Sequence, residues 1–104
     1  MTIAREEIFG PVLATISFNN IDEAIEIAND SPFGLAAGIW TSDINIAHKA
    51  ARDIQAGAVS INSYSSIDIA LSFGGYKQSG IGVDKSIHAI EKYTKMKSTW
   101  LELD

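Results

Sequence analysis

The chain has 104 residues, 13 acidic against 8 basic side chains for a net charge of -5, and no cysteine. That length suits one small domain or part of a larger one, and the acidic balance without a basic run argues against nucleic acid as a partner. Without cysteine there is no disulfide, no thiolate metal site and no thiol nucleophile. Hydrophobic residues make up 46% and charged residues 20%, an ordinary globular balance that excludes a disordered chain. The longest apolar run, Phe33–Trp40, is too short to span a bilayer, and the first seven residues lack the apolar core of a signal peptide. A cytoplasmic location is the default expectation.

Val12, Ala14, Ile16 and Phe18 recur at period two, which predicts a strand over Val12–Phe18. Asn20 with Glu23 three residues on reads as a capping box opening a helix. Ile21, Ala24, Ile25 and Ala28 give that helix its apolar face, and Asp30-Ser31-Pro32 ends it. The run from Leu35 to Trp40 predicts a buried strand. Ser42 or Asp43 caps a second helix with an inner face of Ile44, Ala47, Ala51 and Ile54, and Gly57 is placed to stop it in a left-handed conformation. Ala58–Ile61 reads as a third strand. A polar, serine-rich loop follows over Asn62–Ser72 and continues through the glycine-dense segment to Gly82. Asp84 is placed to cap a third helix with Ile87, Ile90 and Tyr93 inward, and Lys97–Leu103 alternates as a terminal strand. The order β-α-β-α-β-loop-α-β predicts an α/β fold with helices covering a largely parallel sheet. The terminal strand has no obvious partner, and such an edge invites pairing with another chain.

Two segments are dense in residues that fix backbone shape: Glu7-Ile8-Phe9-Gly10-Pro11 and Phe73-Gly74-Gly75-Tyr76-Lys77-Gln78-Ser79-Gly80. Taken alone, the first reads as an ordinary turn into a strand, with Phe9 in the core and Glu7 in water. The second, extended to Gly82, holds four of the chain's eight glycines. It matches neither a dinucleotide fingerprint nor a P-loop spacing, so a tight loop is the better reading than a phosphate cradle. His48 and His88 have no partner at metal-ligand spacing and are expected in solvent. Ser63, Ser65 and Ser66 lack the His-Asp arrangement or Gly-x-Ser-x-Gly elbow that would activate a serine. Trp40 and Trp100 suit a core or an interface better than a cofactor contact.

In combination these segments resemble the C-terminal part of an NAD(P)-dependent aldehyde dehydrogenase. The resemblance runs over essentially the whole chain. It includes the two segments above, Asp22-Glu23-Ala24-Ile25, Ala28-Asn29-Asp30, Gly34-Leu35-Ala36-Ala37-Gly38, Ala56-Gly57, Asn62 and Tyr93-Thr94, in the family's order and spacing. Within the family, the run from Gly74 to Gly80 with Asp84-Lys85-Ser86, His88-Ala89 and Glu91-Lys92 is similar to members acting on ω-amino aldehydes. Two departures stand out: Ser72 where many members have proline, and Val83-Asp84 where many have Arg-Glu, which removes an ion pair at the start of the third helix.

The resemblance implies that residues 1–95 form part of the family's three-layer catalytic domain, and that 96–104 is an oligomerisation strand crossing to a neighbouring subunit. It implies that Glu7 holds the cofactor's ribose hydroxyls and Phe9 packs against the nicotinamide, with NAD or NADP as cofactor. Asn62–Asp68 would border the aldehyde entrance, Phe73 would line the substrate channel, and Asp68 would attract a cationic amine on the substrate. The family works through a cysteine thiolate, a general-base glutamate and a dinucleotide-binding region, all of which precede the position of Glu7. The chain by itself is therefore expected to be inactive and to bind no cofactor. The alternative expectation is a non-catalytic module that associates with itself or with a longer dehydrogenase. An independent glycine-loop nucleotide binder is disfavoured by the failed spacings.

Overall fold

The structure is a computed structural model that describes residues 1–64 and 68–104. Helix α1 spans Ile21–Asn29 and begins where the capping residues predict. The Asn20 side chain accepts from the Glu23 amide at 2.9 Å. The Glu23 carboxylate reaches one residue further out than a capping box requires, and accepts from the Asn19 amide at 2.7 Å and the Asn19 side chain at 2.9 Å. Helix α2 spans Ile44–Asp53 and is capped by Asp43, whose carboxylate accepts from the amides of Asn45 at 2.7 Å and Ile46 at 3.3 Å. The two helices are tied at their ends by Asn29: its Nδ2 donates to the Asp53 carbonyl at 2.9 Å, and its Oδ1 accepts from the Gln55 amide at 2.8 Å. Lys49 adds an ion pair with Asp22 at 2.9 Å.

The core lies between these helices and is small. Ile25, Ala47 and Ala50 are its buried hydrophobic residues. Ala50 replaces Ala51 on the inner face, and Ile44, expected inward, is 65% exposed because it sits in the first turn beyond the reach of α1. The end of α2 also differs from expectation. Ile54 terminates it in extended backbone (φ -75, ψ 127), so no left-handed glycine is used there. Gly57 is required for another reason: a Cβ on it would stand 1.7 Å from the Gly74 carbonyl oxygen.

The strands are short. β2 (Ala36–Ile39) pairs in parallel with β3 (Ala58–Ile61), in register Ala36 to Ala58 through Ile39 to Ile61, with α2 as the crossover. β1 (Phe33–Gly34) pairs antiparallel with β5 (Tyr76–Lys77), and β4 (Phe73–Gly74) antiparallel with β6 (Val83–Asp84). The expectation of a largely parallel sheet is thus corrected among the described residues: one of three two-stranded sheets is parallel. The glycine-dense segment, expected to be loop, contributes strands because its residues meet the bends that precede β2 and the 83–84 segment.

Two other expectations are corrected. Val12–Phe18 finds no ladder partner among the described residues and forms no strand, since a strand exists only by pairing its backbone groups; Lys97–Leu103, expected to pair with another chain, is likewise unpaired within this one among the described residues. The third helix is a 3-10 stretch, Ile87–Tyr93, capped by Ser86. Asp84 belongs to β6 and holds Lys92 in an ion pair. This stretch packs on the adjoining β6 and leaves Ile87, Ile90 and Tyr93 exposed.

The molecule measures 73 × 33 × 22 Å with a radius of gyration of 18.8 Å, whereas about 13 Å is usual for a compact domain of this size. Its accessible surface is 8851 Å², against about 5,700 Å² for a compact monomer of this mass. The excess comes from the two terminal arms and from helix and sheet faces that nothing covers.

Candidate functional site

The arm that carries Glu7 and Phe9 leaves the body after the short 3-10 turn Thr2–Ala4. It is fastened by Arg5, whose guanidinium meets the Asp30 carboxylate with two contacts, 2.8 and 3.4 Å. Glu7 lines an open cavity of about 500 Å³ together with Arg5, Ser31, Phe33, Gln78 and Ser79. Phe9 is 91% exposed, not in the core, and its backbone is left-handed (φ 52). Few bulky residues adopt that conformation without an external constraint. The arm thus presents a carboxylate and an uncovered aromatic ring two residues apart.

The glycine-dense segment is tied to the bend before β2. The amides of Gln78, Ser79 and Gly80 are bonded to the carbonyls of Pro32, Tyr76 and Lys77. The Ser79 hydroxyl accepts from the Gly34 amide at 3.0 Å. A Cβ on Gly75 would lie 2.6 Å from the Ser79 Cβ, so glycine is needed for close approach. These amides are not free to cradle a phosphate, in line with the tight-loop reading.

Phe73 is half-buried in β4 and lines a second cavity of about 370 Å³ with residues of β2 and β3, Ser63, Tyr64 and Lys85. Lys85 places its ammonium 5.9 Å from the Phe73 ring centroid. This cavity shares no lining residue with the one at Glu7. Asn62, at φ 52, bonds the end of β2: its Oδ1 accepts from the Thr41 amide and its Nδ2 donates to the Thr41 carbonyl, both at 2.9 Å. Asp68 is exposed and accepts from the Ala70 amide at 2.8 Å, forming a local turn. It does not line the Phe73 cavity. Ser65 and Ser66 lie outside the described residues.

The chain therefore brings Phe73 near the start of the 62–68 loop, but does not bring Asp68 to it, and keeps the Glu7 arm apart. Arg5, Lys77 and Lys85 were missed from sequence. Each acts across a long sequence separation, where periodicity carries no signal. Charged groups elsewhere serve the helices. The Asn19 amide holds the Glu23 carboxyl below its ordinary range, and the Arg52 guanidinium does the same for Asp53. No group of three or more metal-ligating side chains occurs among the described residues. His48 is exposed, as expected, and His88 contacts Glu91 at 3.2 Å.

The described residues form an α/β chain with an exposed carboxylate–aromatic arm and a separate aromatic-lined cavity. The aldehyde dehydrogenase family model matches residues 1–99, and the chain belongs to that family of oxidoreductases. It is 48% identical over 103 residues to the NADP/NAD-dependent aldehyde dehydrogenase PuuC of Escherichia coli (strain K12), covering 99% of this chain and 21% of PuuC. It superimposes on an indole-3-acetaldehyde dehydrogenase solved with NAD+ at a TM-score of 0.92 and 55% identity, over 99% of this chain and 21% of that one. A γ-glutamyl-γ-aminobutyraldehyde dehydrogenase from Burkholderia cenocepacia J2315 is 57% identical, with a TM-score of 0.87, over 91% of this chain and 20% of that one. The chain thus spans about a fifth of the relatives it matches.

Glu7 presents a carboxylate to the open cavity and Phe9 an uncovered ring face, while the amides of 78–80 are bonded within the chain.

Proposed function

We propose that this chain is the C-terminal portion of an NAD(P)-dependent aldehyde dehydrogenase that oxidises an aldehyde to a carboxylic acid. Residues 1–95 belong to its catalytic domain and 96–104 to an oligomerisation strand. When bound, the cofactor supplies the hydride acceptor. In this chain Glu7 binds the ribose hydroxyls beside the nicotinamide and Phe9 orients the ring. Phe73 lines the aldehyde channel, with Asn62 fixing the start of the loop that borders it. The observation that carries this reading is the arm itself: a bulky residue held at positive φ with its ring uncovered, two residues from a carboxylate that faces an open cavity.

The narrower similarity to γ-glutamyl-γ-aminobutyraldehyde dehydrogenases supports an ω-amino aldehyde as substrate, while Asp68, turned onto Ala70, is not placed to draw its cationic end. A cytoplasmic enzyme assembled as a homo-oligomer through strand edges fits this reading; no described helix is long and apolar enough to cross a membrane. With no cysteine nucleophile, the 104 residues alone do not turn over. Purified chain mixed with NAD and amino aldehydes is expected to form no NADH; reproducible turnover would overturn the reading. The cofactor role is tested in an intact enzyme, the indole-3-acetaldehyde dehydrogenase with its aligned residues replaced by this chain. There E7Q is expected to weaken NAD binding about tenfold, and unchanged binding would remove Glu7 from the cofactor site.

The surface excess favours a second reading, a non-catalytic piece that associates with itself or with a longer dehydrogenase. It is roughly the area that an obligate interface buries. Mass measurement in solution decides it: a persistent monomer that ignores the remaining part of a dehydrogenase rejects association.

A further inference from the structure

Lys77 stands where three segments cross. Its Nζ donates to the carbonyl oxygens of Asn29 at 2.8 Å and Ser31 at 3.0 Å. These belong to the end of α1 and the bend after it, where helix carbonyls lack intrahelical partners and the helix dipole is negative. Lys77 also has left-handed backbone (φ 55). A glycine would take that conformation freely, so the position retains a side chain at a conformational cost.

The bend that Lys77 holds is the one to which the Glu7 arm is fastened. Asp30 lies between the two carbonyls that Lys77 binds, and its carboxylate carries Arg5 at 2.8 Å. Arg5 is two residues from Glu7, and both line the open cavity with Ser31, Phe33, Gln78 and Ser79. Two further bonds press the same bend onto the glycine-dense segment: Gln78 amide to Pro32 carbonyl at 2.9 Å, and Gly34 amide to Ser79 hydroxyl at 3.0 Å. A continuous set of contacts therefore runs from Lys77 through residues 29–31 to Arg5 and the arm.

We infer that Lys77 is a positioning residue for Glu7. By fixing the Asn29–Ser31 bend it fixes the carboxylate on which Arg5 closes, and so sets where Glu7 stands against the cofactor's ribose. This rests on the cofactor role of Glu7 given above. A lysine that only capped α1 would affect stability and leave the arm alone.

The test uses the intact chimera and NAD as the probe. R5M is expected to raise the dissociation constant for NAD about threefold, since its ion pair is exposed, and K77M, which acts through that contact, to raise it by up to the same factor. Because both act through one bend, K77M/R5M should bind no more weakly than R5M alone, not by the product of the two factors. Hydrogen exchange at residues 5–9 should quicken in K77M. Multiplied effects, or a lowered melting temperature with NAD binding and arm exchange unchanged, would overturn the proposal. If K77M does not fold, D30N, at an exposed side chain, takes its place: weakened NAD binding and faster arm exchange support the proposal, and no change in either overturns it. E7Q separates the two readings. If E7Q leaves NAD binding unchanged, the cofactor role fails. If E7Q weakens NAD binding while K77M or D30N does not, the positioning role alone fails.

Discussion

At the scale of single residues, several side chains stand in conformations that only their contacts justify. Asn62 holds φ 52 and makes two bonds to Thr41 across the open end of the β2–β3 pair. N62A loses both bonds and keeps the strained backbone, so unfolding of the chimera in urea should show a loss of about 1–2 kcal/mol. N62G should lose less, because glycine relieves the positive φ. Gly57 gives the converse case. G57A sets a Cβ against a backbone carbonyl that cannot swing aside, and a cost of about 1–3 kcal/mol or more is expected from the same measurement. The carboxylates have a pH consequence. Asp53 is held below its ordinary value of 3.8 by Arg52, and Glu23 below 4.5 by the Asn19 amide. Each is more readily ionised folded than unfolded, so each stabilises fully above its ordinary value and loses that contribution as pH falls through the lowered one. Helical circular dichroism should hold from pH 7 to about 5 and decline below about 4, and the E23Q/D53N pair should flatten that decline. An unchanged acid limb would count against these two contacts.

Among the elements, those ruled by local chemistry were legible and those ruled by partners were not. Asn20 and Asp43 place the helix starts because a side-chain oxygen at that position meets orphan amides whatever the rest of the chain does. N20A should lower chimera stability by about 1 kcal/mol in urea unfolding. The bounds of β3 were legible as well, at Ala58–Ile61. Val12–Phe18 and Lys97–Leu103 have the alternation of strands but find no strand to pair with among the described residues, because ladder bonds are made between segments. The glycine-dense segment misled in the other direction. Its turns were expected, but its pairing with Phe33–Gly34 and Val83–Asp84 depends on backbone approach at Gly34, Gly57 and Gly75, which spacing cannot express.

For the whole molecule, the dominant fact is a surface some thousands of Å² larger than a chain of this mass would expose if compact. At about 25 cal/mol per Å² of apolar area, covering even part of it is a large driving force. Trp100 at 90% exposure and Leu103 at 83% mark the C-terminal arm as one place where that force acts. Removing residues 96–104 should therefore weaken association in solution, read as a fall in mass by light scattering; an unchanged mass would show that the arm is not the contact. The resemblance carried by the two glycine-bearing segments and the stretches between them gave the family, and the apolar periods and caps gave the α/β class, because those features are local. Only the tertiary structure decided that Phe9 is uncovered, that Asp68 turns back on Ala70 away from the Phe73 cavity, and that Lys77 reaches the bend carrying Asp30. The Lys77 contact joins residues 48 positions apart. It is fixed by how backbones pack, which no local pattern of residue types encodes.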